Sequence, residues 1–256
     1  MSAGEARRVC LLTGASGRLG SYFANLYADR YDFVAVYRNT RPWMAAQDAS
    51  FFDPLAPQES VTEISENGRR VYAVQEDLTT PGACDRVVEL AIGHFDRIDL
   101  VVNAAVASVW SPMLGSDHLT RSAPAQLATN ILVPLELSQA VARRFWQDRQ
   151  EENRRWNRNV VNVSSIAGLR VFPGSGQSLY AATKAALNLL TGHMAQEFAT
   201  IGIRVNATAA NSFPALVSTE RAARAIRDLD EGDASGTIVV VDADHDEVLE
   251  VPVQSP

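Results

Sequence analysis

Short apolar runs rich in β-branched residues alternate along this chain with longer stretches whose apolar positions recur every three or four residues. The short runs are Val9–Thr13, Phe33–Tyr37, Val71–Val74, Leu100–Asn103, Val160–Ser164, Arg204–Ala207 and Thr237–Asp242. They carry little polar alternation, which suits strands covered on both faces. The longer stretches are Leu19–Asp29, Ala83–Phe95, Ala123–Phe145, Leu179–Phe198 and Thr219–Leu229, and they read as helices. Strand followed by helix, repeated, predicts βαβ units and an α/β fold with a doubly wound parallel sheet of Rossmann type. Three segments depart from the pattern. Asn39–Ser60 is long and punctuated by proline, and Trp43, Phe51 and Phe52 suggest an irregular insertion with its own packing cluster. Gln147–Asn159 mixes arginine with glutamate and reads as a solvated face. After Asp242 a turn and one more strand are expected, a C-terminal strand extension closing a hairpin.

The length of 256 residues fits a single domain spanning 1–256 better than two small ones. A net charge of −7 disfavours a nucleic-acid partner or an anionic membrane surface. No run approaches the ~18 apolar residues of a membrane span, and the N-terminal segment lacks the apolar core of a secretory leader. The two cysteines, Cys10 and Cys84, read as buried free thiols, so a cytoplasmic, reducing setting is expected. Asp242, Asp244 and Asp246 imitate the start of a calcium loop, but Glu247 and Val253 stand where such a loop needs glycine and an acid. His94, His118, His193 and His245 are scattered, so no metal site is expected, and no Gly-x-Ser-x-Gly elbow occurs.

The first strand runs into Thr13-Gly14-Ala15-Ser16-Gly17-Arg18-Leu19-Gly20 and then a helix. Glycines at 14, 17 and 20 let backbone approach a pyrophosphate closely, and the helix N-terminus adds about half a positive charge. A dinucleotide site follows, contacted by Gly14, Ser16, Gly17, Arg18, Leu19 and Gly20. An NAD site wants a carboxylate at the end of the second strand, yet no acid occurs between Asp32 and Asp48. Arg38 stands there instead, with Arg18 or Arg41 as a second donor, and a guanidinium suits a 2′-phosphate. The expected cofactor is therefore NADP(H). Asp77 and Leu78, after the third strand, are candidates for the adenine end, although Asp77 equally suits a simple turn.

Tyr180 and Lys184 are one helical turn apart and share a face. A tyrosine must lose about three pKa units to act as a base near neutrality, worth roughly 4 kcal/mol. One ammonium ~4 Å away, at an effective dielectric of about 20, supplies energy of that order. The pieces TGASGRLG, VVNAA, Asn130, NVSSIAG, YAATK and IRVNA, in this order, resemble the short-chain dehydrogenase/reductase superfamily from Val9 to Asp242. The resemblance implies Tyr180 as acid/base, Lys184 as its electrostatic partner and ribose contact, and Ser165 as donor to the substrate oxygen. It implies that Asn130 anchors a relay water and that Asn103 and Ala104 line the cofactor site. The implied reaction passes hydride to a carbonyl carbon while Tyr180 protonates the oxygen. A homodimer or homotetramer is implied as well.

Several positions depart from the family pattern. Arg18 and Val106 replace common glycines, and Ala210-Asn211 replaces Pro-Gly. The short span from Asn211 to Thr219 leaves no room for a helical lid, so the pocket is expected to be open, which suits a bulky or carrier-borne carbonyl substrate, or to be covered by Asn39–Ser60 or a neighbouring subunit. Trp110, Met113, Phe172 and Phe213 are candidate walls. Cofactor-assisted epimerisation or dehydration, and non-catalytic NADP(H) sensing, are the competing readings.

Overall fold

The structure is a computed structural model that describes residues 7–40, 49–52, 71–114 and 117–253. Its strands are β1 (Arg8–Thr13), β2 (Tyr31–Tyr37), β3 (Ala49–Phe52), β4 (Val71–Gln75), β5 (Leu100–Asn103), β6 (Asn159–Ser165), β7 (Arg204–Ala210), β8 (Thr237–Val241) and β9 (Asp246–Glu250). They form one sheet in the order β3-β4-β2-β1-β5-β6-β7-β8-β9. All pairings are parallel except β8 with β9. The strand order reverses between β1 and β5, and a crevice opens there at the carboxyl ends, where such sheets bind ligands.

The helices are α1 (Arg18–Leu26), α2 (Ala83–Phe95), α3 (His118–Leu127), α4 (Val133–Val141), α5 (Gln150–Arg155), α6 (Ser178–Ala199) and α7 (Thr219–Glu231). Successive strand residues point to opposite faces, so each strand serves two cores. In β1, Val9 and Leu11 join a cluster with Val87, Val88, Leu137, Val141 and Met194 of α2, α4 and α6. Cys10 and Leu12 join the opposite cluster with Phe23 of α1 and Ala222, Ala223 and Ile226 of α7. This double covering is why the strands read as unbroken apolar runs. Cys10 and Cys84 are free and buried.

Three expectations change. Within Asn39–Ser60, expected to be irregular, Ala49–Phe52 pairs in parallel with β4, Ala49 opposite Val71. A short run ending in two phenylalanines suits a pleated edge that would otherwise stay unpaired. Arg41, Trp43 and the aromatic cluster expected there lie outside the described residues. The single helix expected over Ala123–Phe145 is broken into α3, a π segment at Ala128–Leu132, α4 and a second π segment at Ala142–Trp146. Pro134 has no N–H to give to the Asn130 carbonyl four residues earlier, so the α-helical ladder cannot run through.

The third change concerns Gln147–Asn159, which is only partly a solvated face. Arg158 is 1% exposed and Asn153 is fully buried. The Arg158 guanidinium donates to Asp99 at 3.3 Å, Asn153 at 2.7 Å and Glu152 at 2.5 Å. Asp99 also accepts from the Val9 amide at 2.9 Å and from Arg97 at 2.7 Å. The carboxylate thus joins the starts of β1, β5 and β6. A sequence window around Arg158 cannot reveal a partner 59 residues away. Removing one member of such a pair leaves the other charge buried and alone. Asp99→Ala is expected to destabilise the fold by about 3–5 kcal/mol, read as a lower urea midpoint with unchanged slope.

Candidate active site

The glycine turn is built by close backbone approach. Gly14 has φ +65°, and a Cβ on it would lie 2.8 Å from the Ala104 carbonyl oxygen. A Cβ on Gly20 would lie 2.4 Å from the Gly14 oxygen, because the turn folds back onto α1. Thr13, which the sequence reading passed over, fastens the two sides of the crevice. Its buried hydroxyl accepts from the amides of Ala104 and Ala105, both at 3.0 Å. Gly17 caps α1 without a side-chain bond, so the leading amides of the helix stay available to an anion.

Two cavities meet at this turn. One, of about 270 Å³, is lined by Gly14, Ser16, Gly17, Arg38, Asp77 and Leu78 among others. Arg38 is exposed at the end of β2, and Asp32, the nearest preceding acid, is buried against Arg7. Asp77 accepts from the Thr79 amide at 3.0 Å and its hydroxyl at 2.7 Å, so it forms a turn and lines the cavity at once. Burial works to raise its pKa, but the Thr79 hydrogen bonds and the Arg38 charge outweigh that and hold it below the ordinary value.

The second cavity, of about 430 Å³, is lined by Arg18, Leu19 and Gly20 of the turn, by Ala104, and by Ser165, Tyr180 and Lys184. Ser165 ends β6, and the 3-10 turn Ile166–Gly168 follows. A Cβ on Gly168 would lie 2.6 Å from the Lys184 carbonyl carbon, so this glycine lets α6 press against the end of β6. Tyr180 thereby comes within hydrogen-bond reach of Ser165. Lys184, 2% exposed, donates to the Val163 carbonyl at 2.7 Å.

The electrostatics differ from the sequence expectation. The Lys184 nitrogen is 5.9 Å from the Tyr180 ring centre and is committed to a backbone carbonyl. Burial raises the Tyr180 pKa, opposed only by the Ser165 hydrogen bond. Burial also pulls Lys184 down to about 8. Enclosure acts on both groups, favouring the neutral phenol and weakening the neighbouring cation.

The side chains of Asn130 and Asn103 are both engaged by protein partners. The Asn130 amide donates to the Ala107 carbonyl at 2.8 Å and to the Thr183 hydroxyl at 3.0 Å, and its oxygen accepts from the Ala107 amide at 2.9 Å. Both amide hydrogens are committed, so the side chain pins the loop after β5 to α6. One turn earlier Gln126, also missed, accepts from the Val109 amide at 3.3 Å. A glutamine and an asparagine four apart in an apolar stretch were the available signal. Asn103 donates to Asn162 at 2.9 Å and to Ser138 at 3.3 Å, inside the core. Ala104 reaches the cleft wall; the Asn103 side chain does not.

Trp110, Phe172 and Phe213 line the cleft beside Tyr180, whereas Met113 lines an adjoining trough of about 710 Å³. The segment between β7 and α7 contains no helix, as expected, and its Asn211, Ser212 and Phe213 form part of the wall. Within the described residues no cluster of His, Cys, Asp or Glu is arranged to hold a metal, and no described helix is long and apolar enough to cross a membrane.

Comparison with known proteins agrees with this architecture. A family model described as short chain dehydrogenase matches residues 8–230. A 3beta-hydroxysteroid dehydrogenase 1 from Eggerthella lenta is 30% identical over 218 residues, covering 84% of this chain and 74% of its own. A cyclohexanol dehydrogenase from a Rhodococcus species is 27% identical over 225 residues, covering 84% and 76%. A short chain dehydrogenase structure from Mycobacterium avium superposes with a TM-score of 0.75 at 20% identity, covering 98% of this chain and 87% of that one. With a nine-stranded Rossmann-type sheet and a family match across most of its length, the chain belongs to the short-chain dehydrogenase/reductase superfamily of oxidoreductases, which use a nicotinamide cofactor.

Proposed function

We propose that this protein is an NADP(H)-dependent oxidoreductase that interconverts a neutral ketone or aldehyde and the corresponding alcohol. The observation that carries the reading is the meeting of Ser165, Tyr180 and Lys184 in one cleft with the glycine turn. The bare backbone of Gly14 and Gly20, together with the uncapped start of α1, fits a pyrophosphate. Arg38 and Arg18, each lining one of the two cavities, fit a 2′-phosphate, and among the described residues no carboxylate stands at the carboxyl end of β2 to hold the ribose. A nicotinamide dinucleotide held there supplies or accepts the hydride. Ser165 orients the substrate oxygen toward Tyr180. A phenol whose pKa is raised stays protonated at neutral pH, so Tyr180 can donate the proton that the reductive direction requires. Asn130 contributes by holding the loop that carries Ala107, and it is the residue we would have anchor a relay water.

The substrate side of the cleft carries Val106, Trp110, Phe172 and Phe213, with Ser108 and Gln177 as neutral polar groups. This lining supports an apolar carbonyl compound, in keeping with relatives named for cyclohexanol and a hydroxysteroid. Exposed Leu132 and Leu135 near α4 and Leu189 on α6 support assembly with further copies of the chain as a homodimer or homotetramer. Burial raises the thiol pKa of Cys10 well above the ordinary value and that of Cys84 to about 12, so both are inert and suit a cytoplasmic setting.

Three outcomes are expected. Against a panel of apolar ketones with NADPH, Tyr180→Phe should lower kcat by about 10²–10⁴ while NADPH affinity changes little. Binding of NADPH without turnover in the unaltered protein would instead identify a sensor. Arg38→Ala should weaken NADPH binding about 10- to 100-fold in a fluorescence titration and leave NADH within about twofold, since only one carries the 2′-phosphate. For pH, Lys184 is protonated below its pKa of about 8 and loses its charge above it. The kcat/KM for NADPH should therefore be flat toward neutral pH and decline as pH rises through about 8. Lys184→Met should abolish that inflection along with most of the rate.

A further inference from the structure

The carboxyl ends of β6, β7 and β8 lie side by side, with Ser165 opposite Ala210 and Ala210 opposite Val241. The residue that follows β8 is Asp242, which lies outside the cavity lining yet contacts both loops that form it. One carboxylate oxygen accepts from the Arg170 guanidinium at 2.6 Å. The other accepts from the Asn211 amide at 2.8 Å and from the Ala243 backbone at 2.8 Å. Arg170 stands two residues before Phe172, and Asn211 two before Phe213, so each bond holds one wall of the cleft. The hairpin braces Asp242 in turn. Arg221 of α7 donates to the Asp242 carbonyl at 2.9 Å and to Asp246 at 2.7 Å, and the Asn211 backbone N–H donates to the Val241 carbonyl at 2.9 Å.

We infer that Asp242 is a positioning residue that ties the Asn211–Phe213 and Arg170–Phe172 walls together, so that the β8–β9 hairpin braces the cleft where no helical lid covers it. The inference rests on the proposed reading of the cleft as the reaction site. Its physical basis is the shortness of the Asn211 turn. The side-chain oxygen of Asn211 accepts from the Ser212 amide at 2.7 Å, and its side-chain NH2 donates to Asp242 at 2.8 Å. Loss of that acceptor unfastens the turn on its cleft side. The hydrogen bonds from Asn211, Ala243 and Arg170 hold the carboxyl down at about 2, so the brace is permanently charged across the working pH range.

The test compares Asp242→Ala with Asp242→Asn. The asparagine keeps an oxygen for Asn211 and Ala243 but gives up the charge opposite Arg170, whereas the alanine gives up both. Asp242→Ala is expected to lower kcat with a ketone about 10- to 100-fold, because small misplacements of reacting groups are costly. Amide exchange at Ser212 should quicken, while exchange in the core of β6 and β7 stays unchanged. Asp242→Asn should retain kcat within about threefold of the parent, since the Asn211 bond survives. Either an alanine variant with kcat within twofold of the parent or unchanged exchange at Ser212 would overturn the inference, as would equal losses in both variants. If the parent turns over no carbonyl compound, the proposed function fails instead. The brace is then judged on exchange at Ser212 and on NADPH affinity, which Asp242→Ala should weaken at least tenfold and Asp242→Asn should spare.

Discussion

Parallel strand pairing is the constraint on which the rest of this structure depends. Because β1, β5, β6, β7 and β8 run the same way, their carboxyl ends emerge along one edge. Thr13, Ala104, Ser165, Asn211 and Asp242 stand at or just beyond those ends. None is near another in sequence. Register brings them into one row, and the reversal of strand order beside β1 opens the space in front of it.

Glycines then decide how closely the elements on that row approach. Gly14 and Gly20 let the first turn collapse onto β5 and α1, which leaves bare amides facing the crevice. Gly168 does the same for α6 against β6. A side chain at any of the three would force backbone apart by a large fraction of an ångström, and the contacts of Thr13 or of Ser165 with Tyr180 would go with it. Buried amide side chains complete the framework: Asn130 and Gln126 grip the loop after β5, and Asn103 links β5 to Asn162 of β6. Asn130 and Gln126 supply partners to backbone groups that an irregular loop cannot pair for itself.

Enclosure governs the chemistry more strongly than pairwise attraction does. At the spacing of Tyr180 and Lys184, a simple Coulomb argument makes the phenol a ready base. In the folded protein both groups are removed from water, and the phenol moves up while the ammonium moves down. The ligand-free cleft therefore holds an acid beside a weakened cation.

Much of this was readable from residue order. Apolar runs covered on both sides gave away the strands, and the spacing of Gly14, Gly17 and Gly20 gave away the turn. Tyr180 and Lys184 share a helical face by geometry alone, and the missing acid after β2 pointed to Arg38. Those are local properties, set by a few neighbouring positions. The partner of Arg158, the inward turn of Asn103, the engagement of the Asn130 amide and the joining of two cleft walls by Asp242 were not readable. Each depends on which distant backbone lies within about 3 Å of a polar atom after folding, and hydrogen bonds of that range carry no periodic trace in the chain. The direction of the Tyr180 shift belongs with them, because desolvation is a property of the surroundings and exists only once the surroundings have closed.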